Sequence, residues 1–251
     1  MRTGESDEFE FQSLEERAEN AVEEIARLTA DHDEEIDVTT TIRKGTPFQS
    51  IREYAKQREI DVIVMGTKGR TGLDRVLLDS VTENVLRTAR SPVLAVPPNA
   101  DEPAIDKIPF ERLLLPTDGS DGAAIATEWG IELASRLESS LHVLYSIDTS
   151  FADESEADEF LEALEHRGEE ALDEVRERGE DVGVTVSGAT VTGAPAREIP
   201  SYATETNIDL IVMGTHGRTG IGQWFLGSVT ENVVRQADVP VFCVPVSAQE
   251  P

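Results

Sequence analysis

The chain has 251 residues, enough for one large domain or two modest ones, and a hydrophobic content of 39% that suffices for a packed core. Fifty acidic residues against 22 basic ones leave a net charge of −28, which argues against nonspecific binding to nucleic acid or to an anionic membrane surface. No run approaches the roughly 18 apolar residues of a membrane span, the acidic start does not read as a secretory signal, and the lone Cys243 can form no disulfide within the chain, so a cytoplasmic location is the expectation.

Leu14, Ala18, Ala21, Ile25 and Leu28 recur at helical spacing and predict a first helix. A strand over Ile36–Ile42, a helix over Pro47–Lys56, a strand over Ile60–Met65, a helix over Ser80–Ala89 and a strand over Pro92–Val96 follow. Pro97–Pro109 holds four prolines and reads as a linker. Beyond it, strands at Arg112–Pro116, Leu141–Tyr145, Val184–Val191, Ile208–Met213 and Pro240–Val244 alternate with helices at Asp121–Leu137, Glu154–Arg178, Ala196–Thr204 and Ser228–Ala237. Apolar strands alternating with helices predict an α/β fold, a parallel sheet covered on both faces in the flavodoxin or Rossmann manner.

The two series are copies. Ile60–Pro97 aligns without gaps to Ile208–Pro245 at an offset of 148, with 24 of 38 positions identical. The expected organisation is a first domain over 1–97, a linker over 98–110 and a second domain over 111–247. The first copy has no counterpart of Arg112–Tyr145. In the doubly wound order 3-2-1-4-5 the first strand is central, so without the first two strands the third loses its neighbour and the fourth exposes an edge. Three readings stand side by side: a start codon placed too far downstream, a partner that fills the gap, or a degenerate half.

One glycine-rich loop leads from strand Ile208–Met213 into the helix that begins at Ser228. The carboxyl ends of parallel strands are where open sheets bind ligands. Gly214, Gly217 and Gly227 let a ligand approach the backbone, Arg218 can add a charge, His216 a ring hydrogen bond, and the amides of Val229 and Thr230 face an anion at the positive end of the helix. Ser228 through Glu231 reads as a capping box. Other readings are a plain strand-to-helix turn for the glycines, an exposed bystander for His216, sheet or partner packing for Trp224 and Phe225, and a simple N-cap for Ser228. No Walker A lysine and no Gly-x-Gly-x-x-Gly is present. At the end of the first strand, Pro116, Thr117 and Asp118 form a short turn facing the same crevice, where Asp118 can accept from an adenine or a ribose, or cap the next helix.

The stretches Leu114–Ser120, Leu141–Val143, Val212–Arg218, Leu226–Val233 and Pro240–Pro245 together resemble the universal stress protein family. The resemblance implies two such α/β domains, the first lacking its first two strands, and an adenine-nucleotide site of the ATP-binding branch in the second, possible magnesium included. Carried over, Pro116, Thr117, Asp118 and Val143 would line the adenine and ribose pocket, and Met213, Gly214, His216, Gly217, Arg218, Gly227, Ser228, Val229 and Thr230 the ribose and phosphate path. It also implies self-association through last strands, here Val93–Val96 against Val241–Val244 as an internal pseudo-dimer.

The first copy keeps Gly66, Gly69 and Ser80, but Asp79 stands where the second has Gly227, Asp74 where it has Gly222, and Asp118 has no equivalent, so the first copy is expected to bind no ATP. The dispersed acids resemble those of salt-accumulating halophiles. At ~1 M salt the Debye length is only ~3 Å, so only charges at the site itself would act on an anionic ligand. Three functions follow: a nucleotide-binding stress regulator without fast chemistry, which is the leading expectation; a slow ATPase or phosphotransferase, with no catalytic residue assigned and no metal ligands; and a nucleotide-free interaction module.

Overall fold

The computed structural model of the chain describes residues 4–33, 35–67, 80–98, 110–149, 157–217, 226–249 and 251. The Pro97–Pro109 linker, apart from its first two residues, lies outside them, as do Lys68, Gly69, Asp74, Asp79, Arg218, Gly222, Trp224 and Phe225. The chain divides into two compact units, Met1–Ser50 and Ile51–Pro251.

The smaller unit holds helix α1 (Gly4–His32). An exposed ion pair links Lys44 Nζ to Glu15 Oε1 at 2.7 Å. Residues 36–42 were predicted as a strand, and here the structure departs from the sequence: they carry no strand pairing, and Ile36 and Ile42 are exposed. The matching strand of the second copy pairs with a neighbour that the first copy lacks, and an apolar run does not make a strand without a ladder to join.

The larger unit begins within α2 (Pro47–Gln57) and continues through β1 (Ile63–Gly66), α3 (Ser80–Thr88), β2 (Val93–Val96), β3 (Arg112–Thr117), α4 (Asp121–Arg136), β4 (Ser140–Ile147), α5 (Ala157–Asp181), β5 (Val186–Thr192), α6 (Pro195–Glu205), β6 (Leu210–Gly214), α7 (Ser228–Gln236) and β7 (Val241–Val244). The strands form one seven-stranded sheet in the order β1-β2-β7-β6-β3-β4-β5. All neighbours are parallel except β2 and β7, which run antiparallel with Val93 opposite Cys243 and Leu94 opposite Phe242. The last strands of the two copies therefore pair within one chain, the internal pairing expected of them. Across this seam Arg87 on α3 holds Glu83 at 2.6 Å and reaches Glu231 on α7 at 3.7 Å, while Arg235 holds that same Glu231 at 2.5 Å.

The second copy has the doubly wound order, and its strands are buried on both faces. Consecutive Leu113, Leu114 and Leu115 are all solvent-free, as are Ile211 and Val212, which requires a layer on each side of the sheet. On one side Leu113, Leu115, Leu141, Val143, Leu210, Val212, Phe242 and Val244 form a core with Ala126, Ile131 and Ala134 of α4 and Leu172 and Val175 of α5. Gly188 lets Leu172 settle on β5, since a Cβ there would meet Leu172 Cδ2 at 2.9 Å. Cys243 is fully buried and its thiol pKa is pushed up to about 12 by burial, which makes it an inert core residue.

One half-buried titratable group is expected to couple this fold to pH. His142 on β4 stands edge-on to Tyr202 of α6, with ring centroids 6.4 Å apart, and its Nδ1 is buried without a hydrogen-bond partner. Burial, and secondarily the charge of Arg112, hold its pKa below the ordinary 6.5. The unfolded chain therefore takes up this proton more readily than the folded one. Its contribution to stability is complete above pH about 6.5 and is lost as the pH falls from there through the lowered folded value. Denaturation midpoints measured from about pH 7 to 5.5 are expected to fall for the native chain and to fall less for His142→Gln. Equal slopes would contradict this assignment.

Candidate functional site

β3 lies between β4 and β6, so the connections leaving β3 and β6 depart in opposite directions and a crevice opens between their carboxyl ends. Three segments converge there. Pro116 and Thr117 end β3 and Asp118 follows, all three half-buried. Met213 and Gly214 end β6, followed by Thr215, His216 and Gly217. The starts of α4 and α7 complete the set.

The turn after β3 is built by its own side chains. Thr117 Oγ1 accepts from the Gly119 amide at 3.2 Å and Asp118 Oδ1 from the Ser120 amide at 3.0 Å. Gly119 takes φ +72°, the left-handed region that favours glycine. Ser120 caps α4 by accepting from the Ala123 amide at 3.3 Å. Asp118 is thus not the helix cap that one reading of the sequence allowed, and it holds the turn instead.

The loop after β6 lies hard against the first turn of α4. A Cβ on Gly122 would stand 2.4 Å from the His216 carbonyl oxygen, and one on Gly214 would stand 2.7 Å from the Gly122 carbonyl oxygen. A Cβ on Gly217 would come within 2.9 Å of Asp118 Oδ2. Three missing side chains therefore bring the Asp118 turn and the His216 loop together. The loop is anchored from behind as well. The Thr215 amide donates to Val244 O at 2.9 Å, the Gly227 amide to Thr215 O at 2.8 Å, and Thr230 Oγ1 to Gly214 O at 2.8 Å. Thr215 Oγ1 and His216 Nδ1 are 2.9 Å apart, while His216 Nε2 is buried with no partner among the described residues.

α7 starts differently from the capping box read in the sequence. Gly227, not Ser228, is its N-cap residue, and no side chain caps it. The reason is on the next turn: Glu231, which would reach back to complete the box, is held by Arg235 and Arg87. Exposed Ser228 and half-buried Val229 stand in the uncapped first turn, whose amides meet the anion-favouring end of the helix dipole. Thr230 is buried and its hydroxyl is spent on Gly214. A Cβ on Gly227 would sit 3.1 Å from Thr215 O.

Of the residues read from the sequence, the crevice brings together Pro116, Thr117, Asp118, Met213, Gly214, His216, Gly217, Gly227, Ser228, Val229 and Thr230. Val143 pairs with Leu115, the residue before Pro116, and its side chain is buried in the core with α4 and α5. Arg218 lies outside the described residues. Gly122 and Thr215 were missed. Gly122 had a signal, a glycine in the second position of a helix, where it costs up to ~1 kcal/mol relative to alanine and so marks a close approach.

The first copy preserves the scaffold of this loop. Thr82 Oγ1 donates to Gly66 O at 2.8 Å and the Thr67 amide to Val96 O at 2.9 Å, repeating the Thr230 and Thr215 contacts. The universal stress protein family model matches the chain over residues 2–97 and again over 109–245.

The chain belongs to the universal stress protein family. It is 34% identical over 145 residues to a universal stress protein of Methanocaldococcus jannaschii, covering 56% of this chain and 85% of that one. A universal stress protein of Mycobacterium tuberculosis is 30% identical over 226 residues, 88% of this chain and 73% of that one. The crystal structure of a universal stress protein from Archaeoglobus fulgidus superposes with a TM-score of 0.70 over 94% of this chain and 78% of that one, at 24% identity, which speaks to the fold alone.

Proposed function

We propose that the second copy of this universal stress protein binds one adenine nucleotide, ATP, between the Asp118 turn and the His216 loop, and that the chain acts as a stress-response regulator rather than a fast catalyst. The observation that supports this is the close approach of Gly122, Gly214 and Gly217, which draws the Asp118 turn and the His216 loop together at a switch-point crevice beside an uncapped helix start. Asp118 would take the adenine or ribose end. Gly214, Gly217, Gly227 and the first turn of α7 would take the phosphates, with Arg218 as the added cation. The buried and unpartnered His216 Nε2 supplies a further polar contact.

The described residues include no group of three or more His, Cys, Asp or Glu that could hold a metal, so a magnesium ion would arrive with the phosphates. Asp118 Oδ1 and His216 Nδ1 already have partners in the loop architecture, and holding a nucleotide is the role we assign to their remaining polar atoms. Binding would stabilise the fold by mass action, roughly 2.7 kcal/mol at a ligand concentration a hundred times Kd. Single-turnover assays with radiolabelled ATP are expected to show bound, intact nucleotide over many minutes. Rapid hydrolysis abolished by Asp118→Asn or His216→Ala would make the protein an ATPase instead.

A further inference from the structure

Where β2 meets β7, an ion pair joins α3 of the first copy to α7 of the second. The two helices are matching elements of the repeat, and Glu83 and Arg87 of α3 correspond to the identical Glu231 and Arg235 of α7 at the offset of 148. Each helix makes its own pair four residues apart, Arg87 to Glu83 at 2.6 Å and Arg235 to Glu231 at 2.5 Å.

Across the seam the symmetry ends. Arg87 Nη2 also reaches Glu231 Oε2 at 3.7 Å, while among the described residues no matching ion pair joins Arg235 to Glu83. Glu231 therefore has a guanidinium on each oxygen, Arg235 on Oε1 and Arg87 on Oε2, and Glu83 has one guanidinium in all. The cluster is poorly hydrated. Each of these side chains is a third exposed or less, and Nε of both arginines is buried without a partner among the described residues. Charges in such a setting are screened less than exposed surface pairs.

The doubly held carboxylate belongs to the copy that has the crevice. Glu231 is the fourth residue of α7, and its side chain runs along the helix to Arg235 rather than back to the uncapped start. Its neighbour Thr230 is anchored on Gly214 O, so the backbone of this turn is fixed against the loop and the arginines decide where the carboxylate lies. A Glu231 oxygen released from them would find the free amides of the first turn as donors. It would also place a negative charge where the helix end favours an incoming anion.

We propose that Arg87, a residue of the first copy, is a positioning residue for the phosphate end of the nucleotide site. Together with Arg235 it keeps Glu231 away from the first turn of α7, so the first copy sets the affinity of the second. The inference rests on the nucleotide reading of the crevice. It gives the first copy a part in binding that requires no nucleotide of its own.

The test compares the full chain with Arg87→Met, Arg87→Lys, Glu231→Gln and the double variant Arg87→Met/Glu231→Gln, each shown by circular dichroism to be folded. Arg176→Met, at a more exposed arginine of α5, controls for the change in net charge. Mg-ATP affinity by calorimetry is expected to fall about two- to fivefold in Arg87→Met, the range of a single charge acting at a helix end. It is expected to be kept in Arg87→Lys and Arg176→Met, and Arg87→Met is expected to have no effect in the Glu231→Gln background. Without nucleotide, the amides of residues 228–230 are expected to exchange more slowly in Arg87→Met than in the native chain, because the freed carboxylate oxygen caps them. A purely structural role predicts the reverse, faster exchange from a loosened seam. Native binding with an unchanged Kd in Arg87→Met, the same loss in the Glu231→Gln background, or faster exchange at 228–230 would overturn the proposal and leave the nucleotide site standing. No Mg-ATP binding by the native chain would instead overturn the nucleotide reading, and the role of Arg87 with it.

Discussion

Gly122→Ala is expected to cost the protein both stability and its nucleotide. The added methyl would stand 2.4 Å from the His216 carbonyl oxygen and 3.3 Å from its carbon. Both are backbone atoms, so no side chain can swing away. Either the first turn of α4 or the His216 loop must withdraw, and that loop is fixed from behind by Thr215, Gly227 and Thr230. Overpacking of this kind costs ~1–3 kcal/mol, against which alanine returns up to ~1 kcal/mol of helix propensity. A net loss of about 1 kcal/mol would lower Tm by roughly 2–4 °C in a chain of this size. The displacement also opens the contact between Gly217 and Asp118, so ATP binding by calorimetry is expected to fall further than stability does. An unchanged or raised Tm would show that α4 and the loop are not in register as described.

Gly227→Asp is expected to do the opposite, sparing the fold and abolishing binding. Gly227 has φ −59°, a conformation any residue adopts, and its Cβ position 3.1 Å from Thr215 O requires only a small adjustment. The first copy carries aspartate at the matching position, Asp79. A carboxylate about 5 Å from a phosphate charge costs roughly 3 kcal/mol at an effective dielectric constant of about 20, or about 100-fold in Kd. Concentrated salt shrinks this, so the loss is expected to be smaller in 1 M than in 0.1 M salt. Gly227→Ala separates the causes. It is expected to retain most of the affinity, and an equal loss in both variants would assign the effect to the 3.1 Å contact rather than to charge.

Much of this was legible in the sequence because it depends on local signals. Strands such as Leu113–Leu115 are apolar at consecutive positions and so declare burial on both faces. The pairing of β2 with β7 was implied by the family resemblance, with the repeat at an offset of 148 showing which strands would meet. The loop glycines marked a close approach at a strand end, which the structure shows between Gly214 and Gly122 and between Gly217 and Asp118. What the sequence misstated depended on tertiary partners. Residues 36–42 have strand composition but no neighbour to pair with. Ser228 and Glu231 have capping-box spacing, but Glu231 is held by Arg235 at 2.5 Å within its own helix and by Arg87, 144 positions earlier in the chain, at 3.7 Å. Gly122 was passed over because its reason, the His216 carbonyl, lies on a different strand-end loop.

The central claim is one nucleotide site per chain, in the second copy, and nucleotide stoichiometry tests it most directly. The protein is purified in high salt, denatured, and the released adenine nucleotide is counted per chain, with and without added Mg-ATP. About one per chain, lost in Gly227→Asp, is the expected result. Two per chain would contradict the silent first copy, and none in the presence of millimolar ATP would contradict the site itself.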